Sequence, residues 1–246
     1  KMTRRILRPY WVAPPACEVT WQGSVRDMST WDAVSRAAGA MRRLNRALSG
    51  RRLPDDTLEE VSVAVHDLAD RFDTGTKRSK LDDMMTRPHL AAIYSGQYTP
   101  LELAVGEEIE FDPFSLAGGE FHPASIGLIF IKESDDSVVG AGTIDPMFAG
   151  PPERVHGGIQ ALIIDEVMGA LNRMRGRQAY TAYLHVEYRG PAPLGVHVTF
   201  RAWVHETDGR KIYLKGSGEG PDGRFLDAEG LFIQREDQPE GSLPAP

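Results

Sequence analysis

The stretch HGGIQALIIDEVMGALNRMRG, residues 156–176, decides how the rest of the chain is interpreted. Its apolar side chains leave very little polar circumference; they are Ile159, Leu162, Ile163, Ile164, Val167, Met168, Ala170 and Leu171. Such a helix has to be buried on nearly every side, because no broad face of it suits water. The stretch therefore predicts one long helix, from about Gly157 to Arg175 and ended by Gly176, at the core of a domain.

Strand-like segments lie on both sides of this helix in the sequence. Two precede it and are joined by a polar turn, and four follow it with Gly-Pro or Asp-Gly pairs between them: 126–131, 138–144, 180–188, 196–206, 211–218 and 224–233. Two strands, one helix and four antiparallel strands predict an α+β fold, in which one antiparallel sheet wraps around one long helix.

The front part of the chain predicts helices instead of strands. Apolar residues recur at three- and four-residue steps over 31–48, and again after Pro54, so two amphipathic helices in antiparallel contact are expected. The stretch 74–88, with the basic residues Lys77, Arg78 and Lys80, predicts a solvated loop. Residues 96–124 predict irregular chain.

These patterns divide the chain into three parts. Residues 1–100 form an N-terminal helical extension and connecting segment, residues 101–236 form the sheet-and-helix domain, and residues 237–246 form a flexible tail. The division follows the change from helical to strand-like patterning.

Composition narrows the classes of function. The formal net charge of -7 gives no general attraction to phosphate backbones or anionic membranes, so nucleic acid is a poor partner. Cys17 is the only cysteine, which excludes an internal disulfide and a cysteine-based metal cluster. No apolar run approaches the ~20 residues of a membrane span, and the first residues lack a secretory signal. A cytoplasmic location is therefore expected.

Asp165 is the first candidate for chemistry. A carboxylate inside an apolar helix costs on the order of several kcal/mol unless it is paired, hydrogen-bonded or open to a cleft. Glu166 is turned by about 100° and is expected to be the solvated neighbour. The alternative is that both acids lie on a wet edge of the helix, and the pattern alone leaves both readings open.

The start of the helix is the second candidate. Gly157 and Gly158 allow close approach of a ligand, and the unpaired amides of a first helical turn can polarise a carbonyl oxygen. A plain tight entry to the helix is the other reading of this pair. Gly157 and Asp165 lie eight residues apart, about 12 Å along one helix, so they cannot both touch one reacting carbon. If both act, Gly157 of one subunit has to face Asp165 of another across a two-fold axis.

Thr181 is the third candidate, because its hydroxyl can orient a water molecule or a carboxylate. Strict alternation along its strand places Thr181 with Tyr183 and His185 on one face, opposite Leu184 and Val186. An ordinary strand threonine is the alternative.

The order of these motifs resembles that of the hotdog-fold acyl-CoA thioesterases. The resemblance is greatest to the branch that holds the phenylacetate-pathway and mitochondrial long-chain enzymes. The resemblance covers roughly residues 125–234. It rests on these segments: GPPERVHGG at 150–158 with Asp165 nine residues after the histidine, TAYL at 181–184, YRGPAPLG at 188–195, GRK at 209–211 and AEGLFI at 228–233. Some relatives carry Asn or Gln in the loop before the motif, where this chain has Gly150.

The resemblance implies a hotdog fold, a homodimer or homotetramer, and hydrolysis of an acyl-CoA without a metal or a cofactor, coenzyme A being part of the substrate. It assigns Asp165 as general base or nucleophile and the Gly157 amide as oxyanion donor. His156 corresponds to the motif histidine near the thioester, and Thr181 to the residue that positions water. Acyl chain length stays undetermined.

Four further positions are predicted to bind substrate. Gly158 belongs to the same glycine pair, and Arg189, Arg210 and Lys211 are cations suited to the phosphates of CoA. Two alternatives remain open: a dehydratase or hydratase of acyl thioesters on the same fold, and a non-catalytic acyl-CoA-binding module.

Overall fold

The computed structural model describes residues 28–86, 91, 100–110, 112–150 and 153–235. The helices are α1 (Met28–Gly50), α2 (Asp55–Asp73), α3 (Lys80–Met85) and α4 (Gly157–Met174), with a 3-10 turn at Pro146–Phe148. The strands are β1 (Ile129–Ser134), β2 (Ser137–Thr143), β3 (Ala179–Tyr188), β4 (His197–Asp208), β5 (Lys211–Gly220) and β6 (Gly223–Gln234). The predicted order of two strands, one long helix and four strands is confirmed, with β1 beginning three residues later than expected. The tail 237–246 lies outside the described residues.

The six strands form one antiparallel sheet in the order β1-β2-β4-β5-β6-β3. Tight turns at Gly209 and Gly223, with φ of +57° and +108°, join β4, β5 and β6. Glycine adopts this left-handed region without a steric penalty, so these hairpins form locally. The strand order leaves β3 at an edge of the sheet, since only β6 pairs with it among the described residues.

Helix α4 contacts all six strands and supplies the centre of the core. Six of its side chains are fully buried: Ile163, Ile164, Val167, Met168, Ala170 and Leu171. The sheet carries glycines under the helix, and a Cβ at Gly216 would lie 2.7 Å from Ile164 Cδ1 and 2.9 Å from the Arg201 carbonyl oxygen. Since real Cβ atoms do not approach that closely, the missing side chain is what lets α4 pack directly on β5.

The alternation predicted for β3 is wrong at its beginning. The register changes between Thr181, which lies opposite Phe232, and Tyr183, which lies opposite Leu231. Ala182 is therefore an extra residue in the strand, a β-bulge, and a bulge reverses which face the following side chains occupy. Thr181 consequently faces α4 together with Leu184 and Val186, not away from them.

The predicted antiparallel packing of the first two helices is also wrong. No residue of α2 is buried, and Phe72 at the end of its apolar stripe is 70% exposed. Helix α1 packs instead against the 3-10 turn and the segment before β1. Trp31 stacks on Phe121 with ring centroids 5.0 Å apart, and Arg42 donates to the carbonyl oxygens of Glu120 and His122, both at 2.9 Å.

The segment 74–88 is not simply a solvated loop, because α3 forms within it. Arg78, from the predicted basic cluster, pairs with Asp83 at 2.6 Å and lies 5.7 Å from the centre of the Trp31 ring. This cation therefore connects α3 to α1.

Candidate functional site

The first turn of α4 is organised by His156. Its Nδ1 accepts a hydrogen bond from the Gly158 amide at 3.0 Å, and its carbonyl oxygen accepts from the amides of Ile159 and Gln160 at 3.0 and 3.1 Å. A ring nitrogen that accepts carries no proton, so the neutral ring is protonated at Nε2. Within the described part of the chain, the Gly157 amide has no acceptor. One amide of this helix end is thus free while its neighbours are occupied.

Tyr188 contacts the same turn, a contact that was not predicted from the sequence. Its hydroxyl donates to the Gly157 carbonyl oxygen at 2.8 Å, and its ring lies so close that a Cβ at Gly157 would be 3.2 Å from the hydroxyl oxygen. The only signal in the sequence was the alternation that placed Tyr188 with Leu184 and Val186, on what proves to be the helix-facing side of β3.

Asp165 and Thr181 form the second part of the site. The Thr181 hydroxyl donates to Asp165 Oδ1 at 2.8 Å, a contact that depends on the bulge at Ala182. Asp165 is partly exposed, so its carboxylate is not sealed in dry packing. Desolvation by burial raises the pKa of Asp165, and the hydrogen bond from Thr181 counteracts part of that rise.

Glu166 is not the solvated neighbour that the sequence predicted. Its carboxylate accepts hydrogen bonds from the Ser115 hydroxyl and, at 3.2 Å, from the Ala117 amide. Burial raises the pKa of Glu166, against the lowering effect of these hydrogen bonds. Glu166 thus fastens the irregular segment before β1 to the core helix, whereas Asp165 on the neighbouring face stays accessible.

Gly150, in the loop before the helix, has no room for a side chain. A Cβ there would lie 2.8 Å from His156 Cα. A contribution from an Asn or Gln at this position is therefore sterically impossible without moving His156.

Gly157 and Asp165 remain about 12 Å apart along α4, so one subunit does not bring them together. Both lie on one side of α4, in a line of residues that keep partial or full exposure: Gly157, Gly158, Ala161, Leu162, Asp165 and Gly169. The sheet covers the opposite side of the helix and the segment at Ser115 and Ala117 contacts Glu166, so this line is where a ligand or a second chain can reach it.

Comparison with known proteins bears on this arrangement, since residues 153–223, which hold the helix and both parts of the site, match the thioesterase superfamily. The chain is 35% identical over 108 residues to acyl-coenzyme A thioesterase THEM4 of Xenopus laevis, covering 43% of this chain and 49% of that protein. The protein of the same name from Bos taurus is 32% identical over 91 residues, covering 36% of this chain and 37% of that protein. The chain spans about half, or less, of the length of these curated relatives.

A solved structure shares the fold of this chain. The crystal structure of a thioesterase superfamily protein aligns with a TM-score of 0.63 and 26% identity, over 81% of this chain and 90% of that one. The predicted hotdog architecture, an antiparallel sheet around one long helix with helices N-terminal to it, is confirmed.

The cations predicted to bind CoA do not converge within one subunit. Arg189 follows the end of β3 and donates to Asp227 at 2.8 Å, while Arg210 Nε donates to the Gln234 carbonyl oxygen at 2.9 Å. Along β6, the partner of Lys211 and the partner of Tyr188 are seven residues apart, roughly 23 Å. Arg189 therefore lies at the Gly157 end of the strands, and Arg210 and Lys211 lie at the other end.

Neither a metal-binding cluster nor a membrane-spanning helix is found among the described residues. The described ranges hold no group of three or more histidine, cysteine, aspartate or glutamate residues placed to bind a metal ion. Among those residues, no helix combines the length and apolarity that crossing a bilayer requires. Chemistry without a metal or cofactor, and the cytoplasmic location, stay predictions.

Proposed function

We propose that the protein hydrolyses an acyl-CoA thioester to a free acid and CoA, at sites shared between two subunits. The observation that carries the proposal is the Asp165 carboxylate, bonded to Thr181 yet still accessible, on the core helix of a thioesterase-superfamily domain. The matched relatives named acyl-coenzyme A thioesterase support this choice of substrate class.

The chemistry needs a base for water. Asp165 accepts a proton from a water molecule whose oxygen adds to the thioester carbon, and Thr181 keeps the carboxylate oriented. When the tetrahedral intermediate collapses, the C–S bond breaks and the proton passes from Asp165 to the departing CoA sulfur. A direct attack by Asp165, followed by hydrolysis of the acyl-aspartyl anhydride, uses the same ionised group.

The developing oxyanion needs a donor, and the Gly157 amide is available for it. Its lack of an acceptor in the described chain is what an oxyanion donor requires before substrate binds. His156 has a structural part in this scheme, since its Nδ1 already holds the Gly158 amide.

A second copy of the chain completes the site. The free edge of β3 can pair with the same edge of a second chain, and this pairing sets two α4 helices side by side. If Gly157 of one subunit then faces Asp165 of the other, their midpoint, Ala161, lies at the two-fold axis. Ala161 is on the partly exposed line of α4, which supports this pairing. A dimer or a dimer of dimers satisfies the geometry equally well.

The experiment that tests the proposal measures CoA release from a panel of acyl-CoAs by the full chain and by Asp165→Asn. We expect turnover by the unaltered protein and a loss of at least about 100-fold in the variant, the scale usual for a general base. Asp222→Asn, at an exposed turn between β5 and β6, is the matched control and should keep full activity.

Three results would overturn the proposal. Tight binding of acyl-CoA without turnover would indicate a binding module, and an unchanged rate in Asp165→Asn would remove that residue from the mechanism. Addition or loss of water across a carbon–carbon bond, with the thioester intact, would identify a dehydratase or hydratase.

A further inference from the structure

We propose that Tyr188 is a positioning residue that fixes the direction of the Gly157 amide. Its hydroxyl and the His156 ring hold the peptide between Gly157 and Gly158 from both ends. The inference rests on the proposed thioesterase function, in which that amide binds the oxyanion.

The two peptides on either side of Gly157 determine where its amide points. The carbonyl oxygen of Gly157 and the amide of Gly158 belong to one planar unit, so a bond to each end fixes the orientation of the whole plane. Tyr188 binds the oxygen at 2.8 Å and His156 Nδ1 binds the amide at 3.0 Å.

The preceding peptide is anchored through its other end. The His156 carbonyl oxygen accepts from the amides of Ile159 and Gln160 inside the helix. In a trans peptide the N–H points opposite to the C=O, so the Gly157 amide has to point out of the helix end. Gly157 joins these two peptides, and its backbone is held only as firmly as they are.

The glycine pair in the first turn of α4 needs hydrogen bonds from outside the helix to keep its backbone in one orientation. Glycine has the widest backbone freedom of any residue, and two glycines occupy the first turn, where helices fray. Tyr188 occupies the space that a side chain at position 157 would take, since a Cβ there would be 3.2 Å from its hydroxyl oxygen. Steric support that Gly157 cannot supply itself therefore comes from Tyr188.

Tyr188 is itself well anchored. It pairs with Leu226 at the end of β3, and the amides of the next two residues, Arg189 and Gly190, both donate to the Phe225 carbonyl oxygen. The backbone that carries the Tyr188 side chain is therefore held by the sheet, and the hydroxyl connects this strand end to the first turn of α4.

The expected effect is on the transition state and not on substrate binding. The negative oxygen exists only during the reaction, so a misdirected amide lowers kcat and leaves KM nearly unchanged. Tyr188→Phe removes the one hydrogen bond and keeps the ring. We expect kcat to fall by about tenfold, the scale of one positioning hydrogen bond, with KM within about twofold.

The matched control is Tyr183→Phe, which removes a hydroxyl from the opposite face of the same strand. It should leave kcat and KM unchanged. A fall in kcat of the same size in both variants, or a rise in KM without a fall in kcat for Tyr188→Phe, would overturn the assignment.

A second measurement does not depend on activity. In ligand-free protein labelled with ¹⁵N-glycine, the amide resonances of Gly157 and Gly158 should shift or broaden in Tyr188→Phe and stay in place in Tyr183→Phe. Unmoved resonances overturn the positioning role even if the protein is a thioesterase. If the resonances move but the protein hydrolyses no acyl-CoA, the positioning of Gly157 by Tyr188 is confirmed and the proposed function is overturned.

Discussion

At the scale of single residues, the ionisation of Asp165 is governed by two opposing effects. Burial raises its pKa, and the hydrogen bond from Thr181 lowers it. Only the ionised carboxylate can accept a proton from water or attack a thioester. Thr181 therefore does more than orient the carboxylate, because it also extends the pH range in which Asp165 is ionised.

Thr181→Val should move the acid limb of the pH profile to higher pH. The valine keeps the shape of the threonine but donates no hydrogen bond, so the pKa of Asp165 rises further and less of it is ionised at a given acidic pH. The measurement is kcat/KM for acyl-CoA hydrolysis as a function of pH. Thr181→Ser retains the hydroxyl, so its acid limb should lie at the same pH as in the unaltered protein. An acid limb that is unchanged or lies at lower pH in the valine variant would contradict the prediction.

At the scale of elements, α4 depends on contacts with chain that is distant in sequence. Glycines of the sheet allow the helix to lie close to it, and Glu166 ties the segment at Ser115 and Ala117 to its outer side. The neighbouring acids Asp165 and Glu166 thus have different tasks, because adjacent helical residues point about 100° apart.

Glu166→Gln should raise the free energy of unfolding at neutral pH. Burial raises the pKa of Glu166 above its unfolded value, so the folded state holds a proton to higher pH and loses stability as pH rises through that interval. Glutamine mimics the protonated form and keeps an acceptor for the Ala117 amide. Thermal or urea unfolding at pH 7 and at about pH 4 checks this, and the difference between the two proteins should shrink at the acidic pH.

Glu166→Ala is the contrasting variant. It leaves the Ser115 hydroxyl and the Ala117 amide without their partner, and should lower the free energy of unfolding by about 1–3 kcal/mol. If the glutamine variant is instead less stable than the unaltered protein at pH 7, the carboxylate is stabilising in its ionised form and the inferred direction of the pKa is wrong.

At the scale of the whole molecule, the two halves of the proposed site are too far apart on one helix to act together. A pair of complementary variants tests whether a second subunit joins them. Gly157→Pro removes the amide hydrogen, and proline suits the first helical position, where the preceding His156 already has an extended ψ of 134°. Gly157→Ala places the same Cβ against Tyr188 but keeps the hydrogen, so the difference between the alanine and proline variants isolates the loss of the amide hydrogen.

Mixing unfolded Gly157→Pro and Asp165→Asn chains and refolding them should restore activity. Each parent should be strongly impaired alone, but a mixed dimer holds one intact site, formed by Gly157 of one chain and Asp165 of the other. Random pairing makes half of the dimers mixed, so about a quarter of the unaltered activity is expected. CoA release before and after mixing is the measurement, and no recovery would mean that each site is built within one chain.

The amino-acid sequence by itself determined the long buried helix and the strands around it, together with Asp165 and the glycine pair as candidates. These follow from local periodicity, turn residues and the cost of a carboxylate in an apolar helix, all of which can be evaluated within short windows. The tertiary structure alone decided that Thr181 meets Asp165, that Tyr188 holds Gly157 and that Glu166 is tethered. Each of these depends on strand register, including one bulge at Ala182, and on contacts between segments far apart in the chain, which local patterns do not encode.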